Sequence, residues 1–300
     1  MKLLRKLPPE ARLLLPAFVV ILVVVAVPLL FSLYTSFTSY RLVRPETIWN
    51  VVWFKNYIKL FGSSDFWWAF GRTVLFLTVV LNLEMLFGLA LALLVNQVTR
   101  GQRMLRTIMM FPMMFSPVLV GFQFKFMFND NIGIVNHILQ NWFGVTQAIP
   151  WLVESHLAFF SLACAEIWNS TAVFAILLLA GLMAMPQDPL EAARVDGCTP
   201  WQAFRHVTLP FLMPFVYIAM TIRSLDVGRA FDIVKIMTNG GPAGRTELIW
   251  TLSARAGYED ARMGYANAMS YVAVLLSIAF TVHFFRKLNA SRQFLNEVDA

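Results

Sequence analysis

The chain has 300 residues, 58% of them hydrophobic and only 14% charged, against about a quarter charged in a soluble domain, so the composition excludes a soluble globular protein and indicates an integral membrane one. The net charge of +7 does not point to nucleic acid, because the basic residues are scattered around apolar segments with no basic stripe and no interleaved aromatics. Two cysteines, Cys164 and Cys198, and four histidines on separate segments support neither a disulfide framework nor a metal-ligand cluster.

A membrane span needs about 20 apolar residues. Six segments meet this, at 13–37, 70–97, 104–128, 157–183, 209–228 and 265–285, which predicts an all-α protein forming a single transmembrane domain over residues 1–300. The first segment follows the basic start Met1–Lys6 and exceeds the roughly 7–15 residues of a signal-peptide core, with no small-residue cleavage site, so it reads as a retained span. Tyr40 to Phe66 is polar and aromatic, with Trp49, Trp53, Phe54 and Tyr57, and Trp67 and Trp68 follow it. That composition suits short helices at the water–lipid boundary. The second span ends at Asn96–Gln97 and a tight turn sends the third back beside it; Pro112 and Pro117 predict a kink there. Asn129 to Glu154 is rich in Asn, Gly and Trp and reads as an external cap.

Ionisable groups inside a span cost about 2.5–3.5 kcal/mol on insertion scales, so Glu84, Glu166, Arg223 and Asp226 each need a reason. At 1.5 Å per residue, Arg223 lies about 20 Å and Asp226 about 24 Å above the inner end of the fifth span, in a core about 30 Å thick. Glu166 and Asn169 lie about 13 and 18 Å below the outer end of the fourth on the same scale. Glu166, Asn169 and Ser170 facing Arg223 and Asp226 could hydrogen-bond hydroxyl groups, with Trp168 offering an apolar ring face. A structural reading stays open beside it: Arg223 and Asp226, three apart on one helix, could neutralise each other, and Glu166 could pair with Arg223 to fasten two helices. Glu84 could meet a polar group of a partner subunit or an internal one. Arg72 and Lys125, near span ends, are expected to snorkel outward.

Between the fourth and fifth spans, residues 186–210 are polar and sharply punctuated. Asp188 is placed to cap a helix opening at Pro189, with Glu191 at its third position and Gly197 at its end; Thr199-Pro200-Trp201-Gln202 repeats the device. Two short helices should project from the membrane before Pro210 opens the next span. Farther on, Thr238-Asn239-Gly240-Gly241-Pro242 makes a tight turn, followed by a helical pattern from Glu247 to Arg262.

Lysines and arginines set the orientation. The tight turn at 98–106 holds Arg100, Arg103 and Arg106 whereas 129–156 holds none, so the side shared by that turn, the 186–210 loop and both termini is expected to be cytoplasmic.

The spacing of Glu191, Ala192, Ala193, Gly197, Val207, Leu209 and Pro210 resembles the cytoplasmic loop of binding-protein-dependent ABC importer permeases, and the Thr-x-Gly-Gly-Pro turn resembles their sugar-importing, maltose-type branch. The resemblance runs from about Leu13 to Arg286. It implies the type I importer permease fold, with six transmembrane helices and a coupling-helix loop in which Glu191, Ala192, Ala193, Asp196, Gly197, Leu209 and Pro210 meet an ATPase. It also implies a bacterial inner-membrane location, a pathway lined by the spans flanking that loop, and a sugar, oligosaccharide, polyol or glycerol conjugate as substrate. The implied partners are a second homologous permease, an ATPase homodimer that binds ATP and magnesium, and an extracytoplasmic solute-binding protein. This chain has no phosphate-loop motif and should not hydrolyse ATP; no cofactor is expected in it. The alternative class is a secondary transporter driven by an ion gradient, with Glu84, Glu166 and Asp226 as ion sites. No repeat of one half in the other supports it, and no zinc-protease or nucleophile-elbow motif supports an intramembrane enzyme.

Overall fold

Long apolar runs satisfy their backbone hydrogen bonds within lipid by becoming helices, and helix accounts for nearly all of the regular structure. The computed structural model describes residues 9–227 and 230–298. The basic Met1–Lys6 stretch and Gly228, the last residue of the expected fifth span, lie outside the described residues. Among the described residues, five helical stretches are long and apolar enough to cross a membrane: Leu14–Ser36, Ser64–Gln97, Ser155–Ala184, Pro200–Val227 and Met263–Ser291. The residues group into two compact units, one of the chain up to Trp67 with Leu252–Val272, the other of Trp68–Thr251 with the chain from Ala273.

In the first unit, α1 (Pro9–Ile21) and α2 (Val27–Ser36) join through a π turn over Leu22–Ala26. From Leu14 to Tyr34 no apolar residue is buried and most are exposed, as expected of a helix that meets lipid or another subunit. The chain then folds back, with Asn56 Nδ2 donating to the carbonyls of Ser36 and Thr38 at 2.8 Å each and α3 (Lys55–Phe61) following. Trp49 and Trp53 stay exposed, in keeping with an interfacial position. Gly264 packs against this corner so closely that a Cβ there would fall 2.3 Å from the Thr38 carbonyl.

The second unit is organised around α8 (Ser155–Ala184), which packs against α4 (Ser64–Gln97) and α11 (Leu209–Val227). Small residues permit the close approach: a Cβ on Gly88 of α4 would lie 2.4 Å from that of Phe174, and one on Gly181 of α8 2.8 Å from the Phe215 ring. Phe76, Leu77, Leu162, Phe174, Leu178 and Leu212 form the buried core between them.

The third expected span is not one helix. α5 (Gln102–Met110) and α6 (Pro117–Met127) are separated by a 3₁₀ turn at Pro112–Met114 and two extended residues, Phe115 and Ser116. Pro112 and Pro117 each lack the N–H that continues a helix, and Pro117 forces Ser116 out of the helical region, so the chain breaks where a kink was expected. Beyond it, α7 (Ile134–Phe143) is held to its loop by Asn136, which bonds the Asp130 and Ile149 carbonyls, the Ile149 amide and the Trp151 indole.

After α8 come α9 (Asp188–Val195) and α10 (Pro200–Ala203). A π turn at Phe204–Thr208 then carries the helix directly into α11, so Pro210 does not open the fifth span as expected. The π turn shifts hydrogen bonding by one residue, with the Leu209 amide on the Phe204 carbonyl, and so absorbs a proline inside a continuous helix. The chain ends through α12 (Asp232–Met237), α13 (Ile249–Ala254) and α14 (Met263–Val298). The Gly-Gly-Pro turn precedes α13, where a Cβ on Gly240, at φ +79°, would lie 2.4 Å from the Glu247 carboxylate. Lys125 and Arg72, expected to snorkel, donate to the Ile236 carbonyl at 3.0 Å and the Gly244 carbonyl at 2.6 Å.

Candidate functional site

Two buried carboxylates of the second unit, on different helices, converge on Arg223. Glu84 on α4 accepts two hydrogen bonds from it, Nε to Oε2 at 3.0 Å and Nη2 to Oε1 at 2.8 Å, and Glu166 on α8 accepts a third from Nη2 at 2.9 Å. Asp226, one turn along α11, lies 3.5 Å from Nη1. Paired, bidentate contacts of this kind are the strongest hydrogen bonds a guanidinium makes, and here they tie three helices at one point. Glu84 is fully buried and Arg223 4% exposed, so neither charge is left in an apolar environment without a partner.

One side of this cluster opens. Glu166, Asn169, Ser170, Arg223 and Asp226 line a cleft of about 420 Å³ with Pro117, Phe231 and Asp232. Residues 166, 169 and 170 share a face of α8 because they are three and four apart. Asn169 also donates to the Pro112 carbonyl at 2.9 Å, beside the bond that oxygen accepts from the Phe115 amide, and so ties α8 to the break before α6. Trp168 is not brought into the cleft; its ring stacks on Phe115 and packs against Phe124, at centroid distances of 6.2 and 5.6 Å. Glu84 and Asp232 were not assigned to the pathway by sequence. For Glu84 the signal was present, since an acid deep in a span demands a partner, but the partner is 139 residues away.

The 186–210 loop forms a second feature, a surface hook. The first residue of α9 is Asp188, but its flanking cap is Gln187 and no side chain caps it; Asp188 and Glu191 therefore sit in the first turn without the reciprocal bonds expected of them. Their charges still suit a helix N-terminus. The C-terminal end forms as expected: Gly197 is left-handed at φ +77°, its amide bonds the Arg194 carbonyl and the Cys198 amide that of Ala193, the pattern that closes a helix on a glycine. Thr199 and Gln202 make the capping box at the start of α10. Ala193 is buried, whereas Glu191, Ala192, Asp196 and Gly197 are exposed, and Leu209 and Pro210 are half-buried at the root of the hook. Val195 and Trp201, 88% and 67% exposed, add apolar side chains to the hook's surface.

Residues 84–293 match the family described as "Binding-protein-dependent transport system inner membrane component". The chain is 34% identical over 269 residues, 90% of each protein, to the trehalose/maltose transport system permease protein MalF of Thermococcus litoralis. It is 30% identical over 274 residues, 91% of this chain and 88% of the relative, to the sulfoquinovosyl glycerol transport system permease protein SmoG of Agrobacterium fabrum. In fold it is similar to a chain of a bacterial ABC transporter involved in the import of the acidic polysaccharide alginate, with a TM-score of 0.79, 23% identity and 94% of both chains covered.

Proposed function

The chain belongs to the family of binding-protein-dependent transport system inner membrane components, and from that premise we propose that it is the permease subunit through which a sugar or sugar-like solute enters the cell. It pairs with a second, homologous permease, receives solute from an extracytoplasmic binding protein, and draws on an ATPase homodimer whose subunits hold ATP and Mg²⁺. The cleft at Glu166, Asn169, Ser170, Arg223 and Asp226 is the stretch of the pathway this chain contributes. Its carboxylate and amide groups are hydrogen-bonding partners for hydroxyls, and the relative named above for trehalose/maltose supports a hydroxyl-rich solute.

One observation carries the reading: the second helix of the hook at 188–208 runs from Pro200 without interruption into the helix that bears Arg223. Residues Pro200–Val227 form one 28-residue helix, so a rigid lever of about 40 Å joins a docking surface to the cleft. Glu191, Ala192, Ala193, Asp196 and Gly197 form its outer end, which meets the ATPase on the cytoplasmic side, where both termini also lie. An ion-gradient mechanism finds no comparable support, since Glu84 and Glu166 both bond Arg223.

The test is to purify the tagged chain from membranes of its host, identify what accompanies it, and assay the assembly in proteoliposomes. ATP-dependent uptake of a hydroxyl-rich solute by an assembly containing an ATPase and a second permease is the expected result. Uptake by this chain alone, without ATP and abolished by a protonophore, would overturn it.

A further inference from the structure

Arg223 is the only cation among the described residues that line the cleft, and it is already committed. Of its five N–H groups, three donate to Glu84 and Glu166, and the nitrogen carrying the other two faces Asp226 at 3.5 Å. Glu84 does not line the cleft; it reaches Arg223 from α4 and is fully buried. A carboxylate or sulfonate entering the cleft therefore meets a guanidinium already paired by Glu84 from outside the cleft, with the carboxylates of Glu166, Asp226 and Asp232 in the lining beside it. To bond Arg223 the anion would have to displace a buried carboxylate, leaving that charge unpaired, or accept close like-charge contact, both costly where water is scarce. A hydroxyl group faces neither obstacle, because it can donate to Glu166 or accept from Asn169 without adding charge.

We propose that Glu84 sharpens the charge selectivity of the pathway: by occupying Arg223 from α4, it withholds the guanidinium that an acidic sugar would pair with, and so favours uncharged, polyhydroxylated solutes over acidic ones. Glu84 acts as a positioning residue that never touches the solute. The proposal rests on the cleft being the solute pathway and adds to that reading the sign of charge it admits.

The experiment uses the complete transporter with its binding protein in proteoliposomes and three probe pairs. These are trehalose, maltose and glucosylglycerol, each beside its analogue carrying a carboxylate in place of one C6 hydroxymethyl group. Direct delivery at millimolar concentration, with and without binding protein, separates the permease's preference from that of the binding protein. Wild type should move at least one neutral probe and its carboxylate at least tenfold less well. Glu84→Gln should raise the carboxylate-to-neutral uptake ratio at least tenfold, Glu84→Asp should leave the ratio nearer wild type, and Glu84→Gln combined with Arg223→Gln should return it to the wild-type preference. Where Glu84→Gln does not assemble, Glu166→Gln releases the same guanidinium from the cleft side and should shift the ratio in the same direction. Equal transport of both members of a pair by wild type, or a ratio unmoved by Glu84→Gln and Glu166→Gln alike, overturns the proposal while leaving the pathway intact. Failure of wild type to move any probe, with ATP hydrolysis intact, overturns the sugar reading and this proposal with it.

Discussion

Arg223 is held by two carboxylates far from it in sequence, Glu166 57 residues away and Glu84 139. A buried pair adds less to stability than its hydrogen bonds suggest, because both charges were first taken out of water, but removing one partner strands the other. Arg223→Met should therefore destabilise the protein by about 3–5 kcal/mol, read as a fall in the thermal unfolding midpoint in detergent. Adding Glu84→Gln to that variant should restore more than half of the loss; if the double variant is no more stable than the single one, the pair does not act as a unit. The depth of each ionisable group was legible from its position along its span, and so was the need for partners. The pairing of Glu166 with Arg223 was among the readings left open, and it forms; that Glu84 joins it was not legible, since periodicity says nothing about which helix lies beside α11. Small residues such as Gly88 and Gly181 decide that, by letting two particular helix pairs approach closely.

At the scale of elements, the hook was the most legible part because its signals are local: a left-handed glycine and a capping box each act within four residues. Pro210 was misread for the opposite reason, a proline being normally a helix start unless a π turn displaces the hydrogen bonds around it. Gly197 has open space where a Cβ would stand, so a side chain there costs conformation rather than collision. Gly197→Val should cost about 1–2 kcal/mol from the left-handed backbone alone and Gly197→Asn less, because asparagine tolerates that region. Both should leave the spans folded and raise ATP hydrolysed per solute moved, with valine the stronger; unchanged coupling in Gly197→Val would remove the hook from the transmission path. The break between α5 and α6 makes a separate prediction. Asn169 adds a second hydrogen bond to the Pro112 carbonyl, which also accepts from the Phe115 amide at 3.2 Å, so Asn169→Leu removes one of two bonds across the break and should cost about 0.5–1.5 kcal/mol, measurable as faster limited proteolysis near residues 111–116.

For the whole molecule, the proposed orientation in the membrane rests on where the basic residues and the hook lie, and two native cysteines allow it to be tested without mutation. Cys198 is exposed at the tip of the hook between Gly197 and Thr199, while Cys164 is half-buried inside α8. If the hook is cytoplasmic, a charged, membrane-impermeant maleimide should label Cys198 in inside-out vesicles and leave it unlabelled in right-side-out ones, with Cys164 protected in both by its place in the span. Because Val195 and Trp201 expose apolar surface on either side of Cys198, an ATPase seated there should slow the labelling. Stripping the ATPase from inside-out vesicles should then raise the rate severalfold, and adding it back should lower it again. Labelling from the outer face would invert the orientation derived from Arg100, Arg103 and Arg106. Labelling from the inner face at a rate indifferent to the ATPase would keep the orientation and place the docking surface elsewhere, separating two conclusions that share the same 20-odd residues.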